Sequence, residues 1–588
     1  MYRPKHWQID SPNAGAAELA GRLKVSPLIG QMLLNRGISG LEQAQAFLRP
    51  SLKTLAEPEL LPGLTAAAQR LARAIRDGEK IVIYGDYDVD GITATSILWH
   101  AITLLGGKVE SYIPHRIDEG YGLNSEALGQ IIDNGAKLIV TVDCGITALE
   151  PAGVARQRGV DLIITDHHHW HGDPPVFPDC YAIVHPRLPG TAAYPNPNLC
   201  GAGVAFKLAW GIGQAAMGAS RVSDSFRGFL IEATALAALG TIADVVPLVG
   251  ENRALAHFGL SGLQQSKLTG IRALIESAAL TGKNLDAYDV GFLLAPRLNA
   301  CGRLGHAALA VEMLTTAGET RAREIAVYLE AQNRARQAIE KQIFDQALAQ
   351  IESNGWDKDG HRALVLAAEG WHAGVIGIVA SRIVDRFCRP TVMVALGNGQ
   401  GQGSARSIPG FHLARALESC SAHLVAYGGH EMAAGLKIEA AQLDDFRGAF
   451  CRVADSSITD EMLVPQLRVE CVADLSQVTE GLVNELQRLG PFGHGNRRPL
   501  LCIENATVAG PPRRVGKTGD HLQLFVKQNR RTIRCIAFGA GELIDRLGPG
   551  TCVRLAVEPS INEFNGRRNV ELAVKDFQLA SERAVEAG

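Results

Sequence analysis

The chain reads as an α/β protein in several parts: a parallel-sheet domain, a long connecting helix, a smaller α/β domain and a carboxy-terminal β-barrel that is OB-fold-like. Three observations predict this. Short β-branched apolar runs alternate with helix-length segments over residues 80–184, Glu319 to Ser353 contains neither Pro nor Gly, and five strand-like runs with turn residues between them fill the last hundred positions. At roughly 150 residues per domain, 588 residues suggest about four units.

Taken in order, residues 1–60 are short helix-like pieces broken by Pro and Gly, an amino-terminal helical segment. Residues 61–265 form the first α/β domain. It opens with an amphipathic helix from Leu64 to Arg76, and its strands are expected at Lys80–Tyr84, Val109–Pro114, Lys137–Val142, Val160–Thr165 and Tyr181–Val184. Asp224 to Val246 turns helical. Residues 266–355 are helices around a loop, Ala295 to Arg303, followed by the connecting helix. Residues 356–458 repeat the α/β rhythm: a strand at Ala363–Ala367, a helix at Val375–Arg386, a strand at Pro390–Leu396 and a glycine-rich stretch, Gly399–Ser407. Residues 459–588 hold the barrel strands, Leu500–Val508, His521–Val526, Thr532–Phe538, Thr551–Pro559 and Asn569–Leu579, with Asn565-Gly566 as a hairpin signal.

Composition narrows the function. With 46% hydrophobic and 20% charged residues the chain can bury sizeable cores. No run of 18 apolar residues suggests a membrane span, and no secretory pattern opens the sequence, so a cytoplasmic protein without membrane contact is expected. The 11 cysteines are scattered and form no Cys-x-x-Cys pair, which argues against disulfides and thiolate zinc. Net charge is −3, unevenly spread: Pro491 to Gly588 carries 15 Lys+Arg against 10 Asp+Glu, so a basic appendage sits on an acidic body.

The acids fall where parallel sheets bind ligands, beyond the carboxyl ends of strands. Gly85-Asp86-Tyr87-Asp88-Val89-Asp90-Gly91 follows the first strand, Asp143-Cys144-Gly145 the third and Asp166-His167-His168-His169 the fourth. Asp244, after a helical run, can reach the same rim. A lone Asp there would read as a cap, but three coincident strand ends do not. Crowded carboxylates cannot all ionise without cations, and oxygen and imidazole ligands without thiolate suit Mn²⁺ or Mg²⁺. Two divalent ions about 4 Å apart would activate water for in-line attack at phosphorus. His169 and His171 read as solvated.

Asp88-Val89-Asp90-Gly91, Asp143, Asp166-His167-His168 and Asp244 resemble, in order and spacing, the motifs of the DHH phosphoesterase superfamily. Gly428-Gly429-His430-Glu431-Met432-Ala433-Ala434-Gly435 resembles the signature of its DHHA1 partner domain. The Gly85–Gly91 stretch, Glu119-Gly120-Tyr121-Gly122-Leu123, Trp371-His372-Ala373-Gly374-Val375-Ile376-Gly377 and the strand-rich end resemble the RecJ family of single-strand-specific 5′-to-3′ DNA exonucleases. The resemblance implies that Asp88, Asp90, Asp143, His167 and Asp244 ligate two metals, with Asp90 and Asp143 central and His168 as proton donor or phosphate contact. Many superfamily members have His four residues before Asp88. Here Tyr84 stands there, so either Asp86 substitutes at that metal or the metal has fewer protein ligands.

On the substrate side, Ser404 and Arg406 follow glycines whose amides can approach a phosphate, and Gly428, Gly429 and His430 would let a strand pass close. Arg116 and Arg303 are candidates for a 5′ phosphate, and Tyr121, Phe525 and Phe564 for stacking. The expected substrate is single-stranded DNA, held in a cleft and by the basic barrel, and released as mononucleotides. The resemblance also implies a role in recombination and repair, with a helicase and a single-strand-binding protein as possible partners; the protein is expected to be a monomer. A phosphodiesterase for small substrates and a non-catalytic single-strand-binding module are the alternatives.

Overall fold

The computed structural model describes residues 5–115, 119–120, 122–170, 172–304, 306–358, 360–564 and 566–579, without the side chains of Arg303, Leu304 and Phe564. The chain forms two compact units. The first runs from Arg49 to Ala335 and takes in Gly490–Arg497; the second comprises the residues up to Leu48, Arg336–Leu489 and the residues from Arg498 on.

The first unit is built on five parallel strands: β1 (Lys80–Gly85), β2 (Lys108–Tyr112), β3 (Leu138–Val142), β4 (Asp161–Thr165) and β5 (Ala182–Val184), in the order β2-β1-β3-β4-β5. β1, β3 and β4 are buried almost throughout, because helices cover both faces, and this explains their unbroken apolar runs. Val89–Leu104, Gly201–Met217 and Asp224–Ala243 pack into the main core on one face. Ser125–Asp133 and Leu149–Gln157 cover the other. Asp224–Ala243 is long and apolar enough to cross a membrane by composition alone, yet residues such as Leu236 and Leu239 are wholly buried in that core. The chain leaves β1 towards β2 and returns to β3 on the other side, so the strand order reverses between β1 and β3. A ligand crevice opens at such a switch point.

One expectation fails here. Ala295 to Arg303, read as a loop, lies in the helix Ala295–Leu304. Its Pro296 follows a wide turn, Val290–Leu294, with π-type spacing, so the missing proline N–H falls near the start of a new α-helical segment, where it is tolerated.

In the second unit, β6 (Leu364–Glu369), β7 (Thr391–Gly397), β8 (Gln400–Arg406), β9 (Ala426–Gly429) and β10 (Ala433–Glu439) form a sheet in the order β9-β10-β8-β7-β6. The helix Glu319–Ser353 falls where the sequence places it, and the division between the units lies within it. Its Ile343, Ala347 and Ile351 pack with the helix Ile376–Phe387 against β6 and β7. The glycine-rich stretch Gly399–Ser407 is not a phosphate-cradling loop. β8 is hydrogen-bonded to strands on both sides, so its amides belong to the ladder. Gly401 and Gly403 serve packing instead: a Cβ would come within 2.6 Å of Val394 and of Leu436 respectively.

The carboxy-terminal strands close a five-stranded barrel. Leu501–Val508 pairs with Cys552–Phe564, then Arg567–Leu579, Arg531–Ala537 and His521–Gln528, which returns to Thr507 and Val508. Asn565 lies outside the described residues; the backbone of Phe564 pairs with that of Arg567 in the antiparallel ladder. The amino-terminal stretch joins this unit. His6–Ile9 pairs in parallel with Gln466–Val469, Arg36 forms an ion pair with Glu470, and the buried Trp7 Nε1 donates to Asp576 Oδ2 at 2.7 Å. Asp576→Ala leaves that indole N–H buried without its acceptor and should cost about 1–3 kcal/mol; thermal unfolding against wild type checks it, and an unchanged midpoint would show that the Trp7 contact contributes nothing.

Candidate functional site

Sequence and strand order meet at the carboxyl ends of β1, β3 and β4. Asp88 caps the helix Val89–Leu104, accepting from the N–H groups of Asp90 (2.8 Å) and Gly91 (3.1 Å). Asp90, in the first turn of that helix and 1% exposed, accepts from Gly201 (2.5 Å) and Ala202 (2.8 Å) at the start of the helix Gly201–Met217. A helix amino terminus stabilises a negative charge there. Asp143 follows β3 with φ at +62°, a left-handed conformation uncommon for Asp. Asp244 caps the carboxyl end of Asp224–Ala243.

These groups converge. One ligand atom from each of Asp86, Asp88 and Asp143 lies within 4.8 Å of the others, and the same holds for Asp90, His167 and Asp244, and for Asp143, His167 and His168. His167 Nε2 stands 3.1 Å from Asp143 Oδ1, 3.6 Å from Asp244 Oδ2 and 3.8 Å from Asp90 Oδ2. The electrostatics are those of a site short of positive charge. Burial, and then the charges of Asp90, Asp88, Asp86 and Asp244, drive the Asp143 carboxyl well above the usual range. Burial with the charges of Asp90 and Asp88 pushes Asp244 up to about 8. Burial lowers His167 to about 4, so its imidazole is neutral and free to ligate. Asp143 Oδ1, His167 Nε2 and Asp244 Oδ2 are buried and make no hydrogen bond. Buried polar atoms are otherwise almost always paired, so the donor set fits divalent cations.

Asp166 plays another part. Its carboxylate accepts from the N–H groups of Ile146 (2.9 Å), His167 (2.7 Å) and His168 (3.1 Å), and from His168 Nδ1 (2.8 Å). For His168, burial works against the charged ring, but the hydrogen bond and charge of Asp166 outweigh it and raise its pKa to about 9. Below the loop, Arg187 donates to His167 O and to His169 Nε2. Tyr84 is wholly buried, its hydroxyl on Gly122 O, while Asp86 stands beside Asp88 and Asp143.

Several residues here carry no motif signal. A Cβ on Gly201 would come within 2.6 Å of Asp143, and one on Gly240 within 2.5 Å of Asp90 Oδ1, so the carboxylates seat directly on helix backbone. Asn299 Oδ1 accepts from Val89 N–H (3.2 Å) and so holds the Asp88–Asp90 turn. Beyond Asp244, Val245 has φ at +60°, costly for a β-branched residue. The following turn is held by Gly490–Arg497: Leu248 N–H donates to His494 O (2.8 Å) and the Arg253 guanidinium to Gly490 O (2.6 Å). The cluster Gly490-Pro-Phe-Gly-His-Gly-Asn496 was the available signal.

The remaining candidates divide. In the second unit, Arg406 is half-buried and donates to Ser404 Oγ and Ala405 O, and burial lowers its pKa. Gly428 and Gly429 end the exposed strand β9, and His430 is exposed in the following turn. Phe525 is exposed on the barrel, paired across strands with Arg534. Arg116, Tyr121 and His171 lie outside the described residues, as do the side chains of Arg303 and Phe564.

Three family models match in order: the DHH family amino-terminal domain over residues 80–238, the DHHA1 domain over 360–455 and the RecJ OB domain over 469–576. The chain is 39% identical over 577 residues to the single-stranded-DNA-specific exonuclease RecJ of Bacillus subtilis, covering 98% of this chain and 71% of that one. It is 33% identical to the protein of that name from Escherichia coli, covering 94% and 96%. The crystal structure of RecJ in complex with Mn²⁺ from Thermus thermophilus matches with a TM-score of 0.82 at 32% identity, over 97% of this chain and 79% of that one; the Mg²⁺ complex matches with 0.76 at 31%, over 97% and 78%.

Gly201→Ala should displace the Asp143 carboxylate and weaken Mn²⁺ binding by about tenfold or more while circular dichroism stays unchanged; calorimetric titration checks it, and wild-type affinity would mean the close approach is not needed.

Proposed function

The chain belongs to the RecJ family, and on that footing we propose that it is a single-stranded-DNA-specific 5′-to-3′ exonuclease that hydrolyses phosphodiester bonds and releases mononucleotides in DNA recombination and repair. The carrying observation is the buried set of Asp143 Oδ1, His167 Nε2 and Asp244 Oδ2, acceptors without hydrogen bonds inside a ring of further carboxylates. Asp86, Asp88 and Asp143 would hold one cation, and Asp90, His167 and Asp244 the other. Bound Mn²⁺ or Mg²⁺ supplies charge opposite the phosphate and the acidity that makes water a nucleophile at neutral pH. The two donor sets differ, three carboxylates against two carboxylates and an imidazole, so the positions should bind with unequal affinity.

The chain's own groups do the rest. His168, with Nδ1 held by Asp166, keeps a proton on Nε2 at neutral pH, where it meets phosphate oxygen or the departing oxyanion. Arg406, a half-buried cation, suits bidentate contact with phosphate, beside Ser404 and the Gly428-Gly429-His430 turn. Arg116, Arg303 and Tyr121 are proposed strand contacts on the strength of their motifs. Phe525 beside Arg534 offers a stacking surface on the barrel. Action as a cytoplasmic monomer beside a helicase and a single-strand-binding protein belongs to the same proposal.

Truncating the barrel would be a poor test, because it also removes Gly490–Arg497 from the turn after Asp244. The test is Mn²⁺-dependent digestion of a long oligonucleotide, single-stranded and duplex, labelled separately at each end. Loss of mononucleotides from the 5′ end of the single strand alone is expected, and Asp90→Ala should lower the rate by at least about a thousandfold. Hydrolysis of dinucleotides with the long strand intact would favour a small-substrate phosphodiesterase instead.

A further inference from the structure

β5, an edge strand of the first-unit sheet, runs parallel to β4 as far as the site, with Val184 opposite Thr165 and the Asp166 N–H donating to Val184 O at 3.1 Å. Beyond Val184 the chain continues through His185, Pro186 and Arg187. His185 is wholly buried. Its Nδ1 accepts from the Arg187 N–H at 3.0 Å, which leaves the ring proton on Nε2, and Nε2 donates to His168 O at 2.9 Å. The Arg187 guanidinium donates to the neighbouring carbonyl, His167 O.

The main chain of the two site histidines is thereby held at every polar group. The Asp166 carboxylate takes the N–H groups of His167 (2.7 Å) and His168 (3.1 Å), and Arg187 and His185 take their carbonyls. The strands β4 and β5 end at Thr165 and Val184, so side chains do for this turn what a ladder does for the residues before it. Satisfying two carbonyls does not by itself call for these side chains. A guanidinium is a costly donor in a half-buried place: burial lowers the Arg187 pKa, and its Nε is buried without a hydrogen bond. The His185 ring is braced by Trp170, which meets it edge-on with centroids 5.6 Å apart. A braced ring and a planar fork fix a direction as well as supplying a proton.

We propose that Arg187 and His185 are positioning residues for the hydrolysis, Arg187 aiming His167 at the cation-binding carboxylates and His185 aiming His168 at the phosphate. The inference rests on the exonuclease reading above and adds to it the chain segment that directs its two histidines. His167 Nε2 stands 3.1 Å from Asp143 Oδ1 and His168 Nδ1 2.8 Å from Asp166 Oδ1, so a peptide rotation that frees either carbonyl carries an imidazole off its partner. Both residues act through the main chain, and neither belongs to the sets of cation ligands.

Full-length His185→Phe, His185→Asn, His185→Gln and Arg187→Leu proteins test this. Gln carries its amide nitrogen as many bonds from Cβ as the His Nε2, Asn carries it one bond short, and Phe keeps a ring without a donor. In Mn²⁺-dependent digestion of a labelled single strand, His185→Phe should lower kcat by about ten- to a hundredfold, with KM and the calorimetric Mn²⁺ affinity at wild-type values. His185→Asn should lower kcat less, and His185→Gln should bring it back to within about threefold of wild type. Arg187→Leu should weaken Mn²⁺ binding by about tenfold or more in the absence of nucleic acid. Melting temperatures establish that each variant is folded, and the contrast between Asn and Gln carries the test if the His185→Phe protein does not fold. Wild-type kcat without the donor, or equal losses in His185→Asn and His185→Gln, would overturn the role of His185, and wild-type Mn²⁺ affinity in Arg187→Leu that of Arg187. A wild-type protein that leaves single strands intact would overturn the exonuclease reading, and the role of His185 with it, while the Mn²⁺ titration still decides that of Arg187.

Discussion

The first unit is organised by one electrostatic constraint. Asp86, Asp88, Asp90, Asp143 and Asp244 lie close together, all but Asp88 and Asp244 almost inaccessible, around a neutral imidazole. Burial and mutual repulsion raise Asp90, Asp143 and Asp244 together, so the set cannot ionise fully without positive charge from outside the chain. That deficit connects the switch point of the sheet, the helix amino terminus under Asp90 and the backbone seats beneath Asp143 and Asp90. A core tolerates such a group only where a cation completes it.

The architecture shows how the deficit is maintained. Parallel strands deliver acids to one rim, and the reversal of strand order between β1 and β3 opens the rim between Asp86 and Asp143. The helix Gly201–Met217 approaches so closely that its first amides bond Asp90 while Gly201 lies against Asp143. The left-handed backbone at Asp143 and Val245 is local strain that the surrounding contacts hold in place. At Val245 those contacts come partly from Gly490–Arg497, more than two hundred residues away in sequence.

Much of this was legible beforehand, for a physical reason: strands buried on both faces have to be continuous apolar runs, so the residues after them are known, and a ligand rim lies there. A helix such as Glu319–Ser353, without Pro or Gly, has one reading. What stayed hidden depends on non-local contact. Pro296 and Gly302 look like breakers until the turn before them and the close approach of Tyr87 O are seen. Gly401 and Gly403 look like a loop until Leu436 and Val394 fill the space above them. Trp7 reaches Asp576 across 569 positions, which no local pattern encodes.

Asp143 and Asp166 show why a strand-end aspartate cannot be assigned from its position alone. Each follows a parallel strand by one residue, and each is 1% exposed. Asp166 is surrounded by donors, three backbone N–H groups and the His168 ring, and its pKa falls well below the carboxylate range, the His168 hydrogen bond overcoming burial. Asp143 faces other carboxylates, keeps Oδ1 without a hydrogen bond, and its pKa rises. Donor supply separates them: the first carboxylate is neutralised by the chain and serves to hold His168, while the second is left for a charge that the chain does not contain. The same distinction separates Arg406, half-buried and in no ion pair among the described residues, from arginines such as Arg70, paired with Glu79 and Asp161. Whether the chain itself supplies a countercharge is thus what separates buried charged groups of the same type.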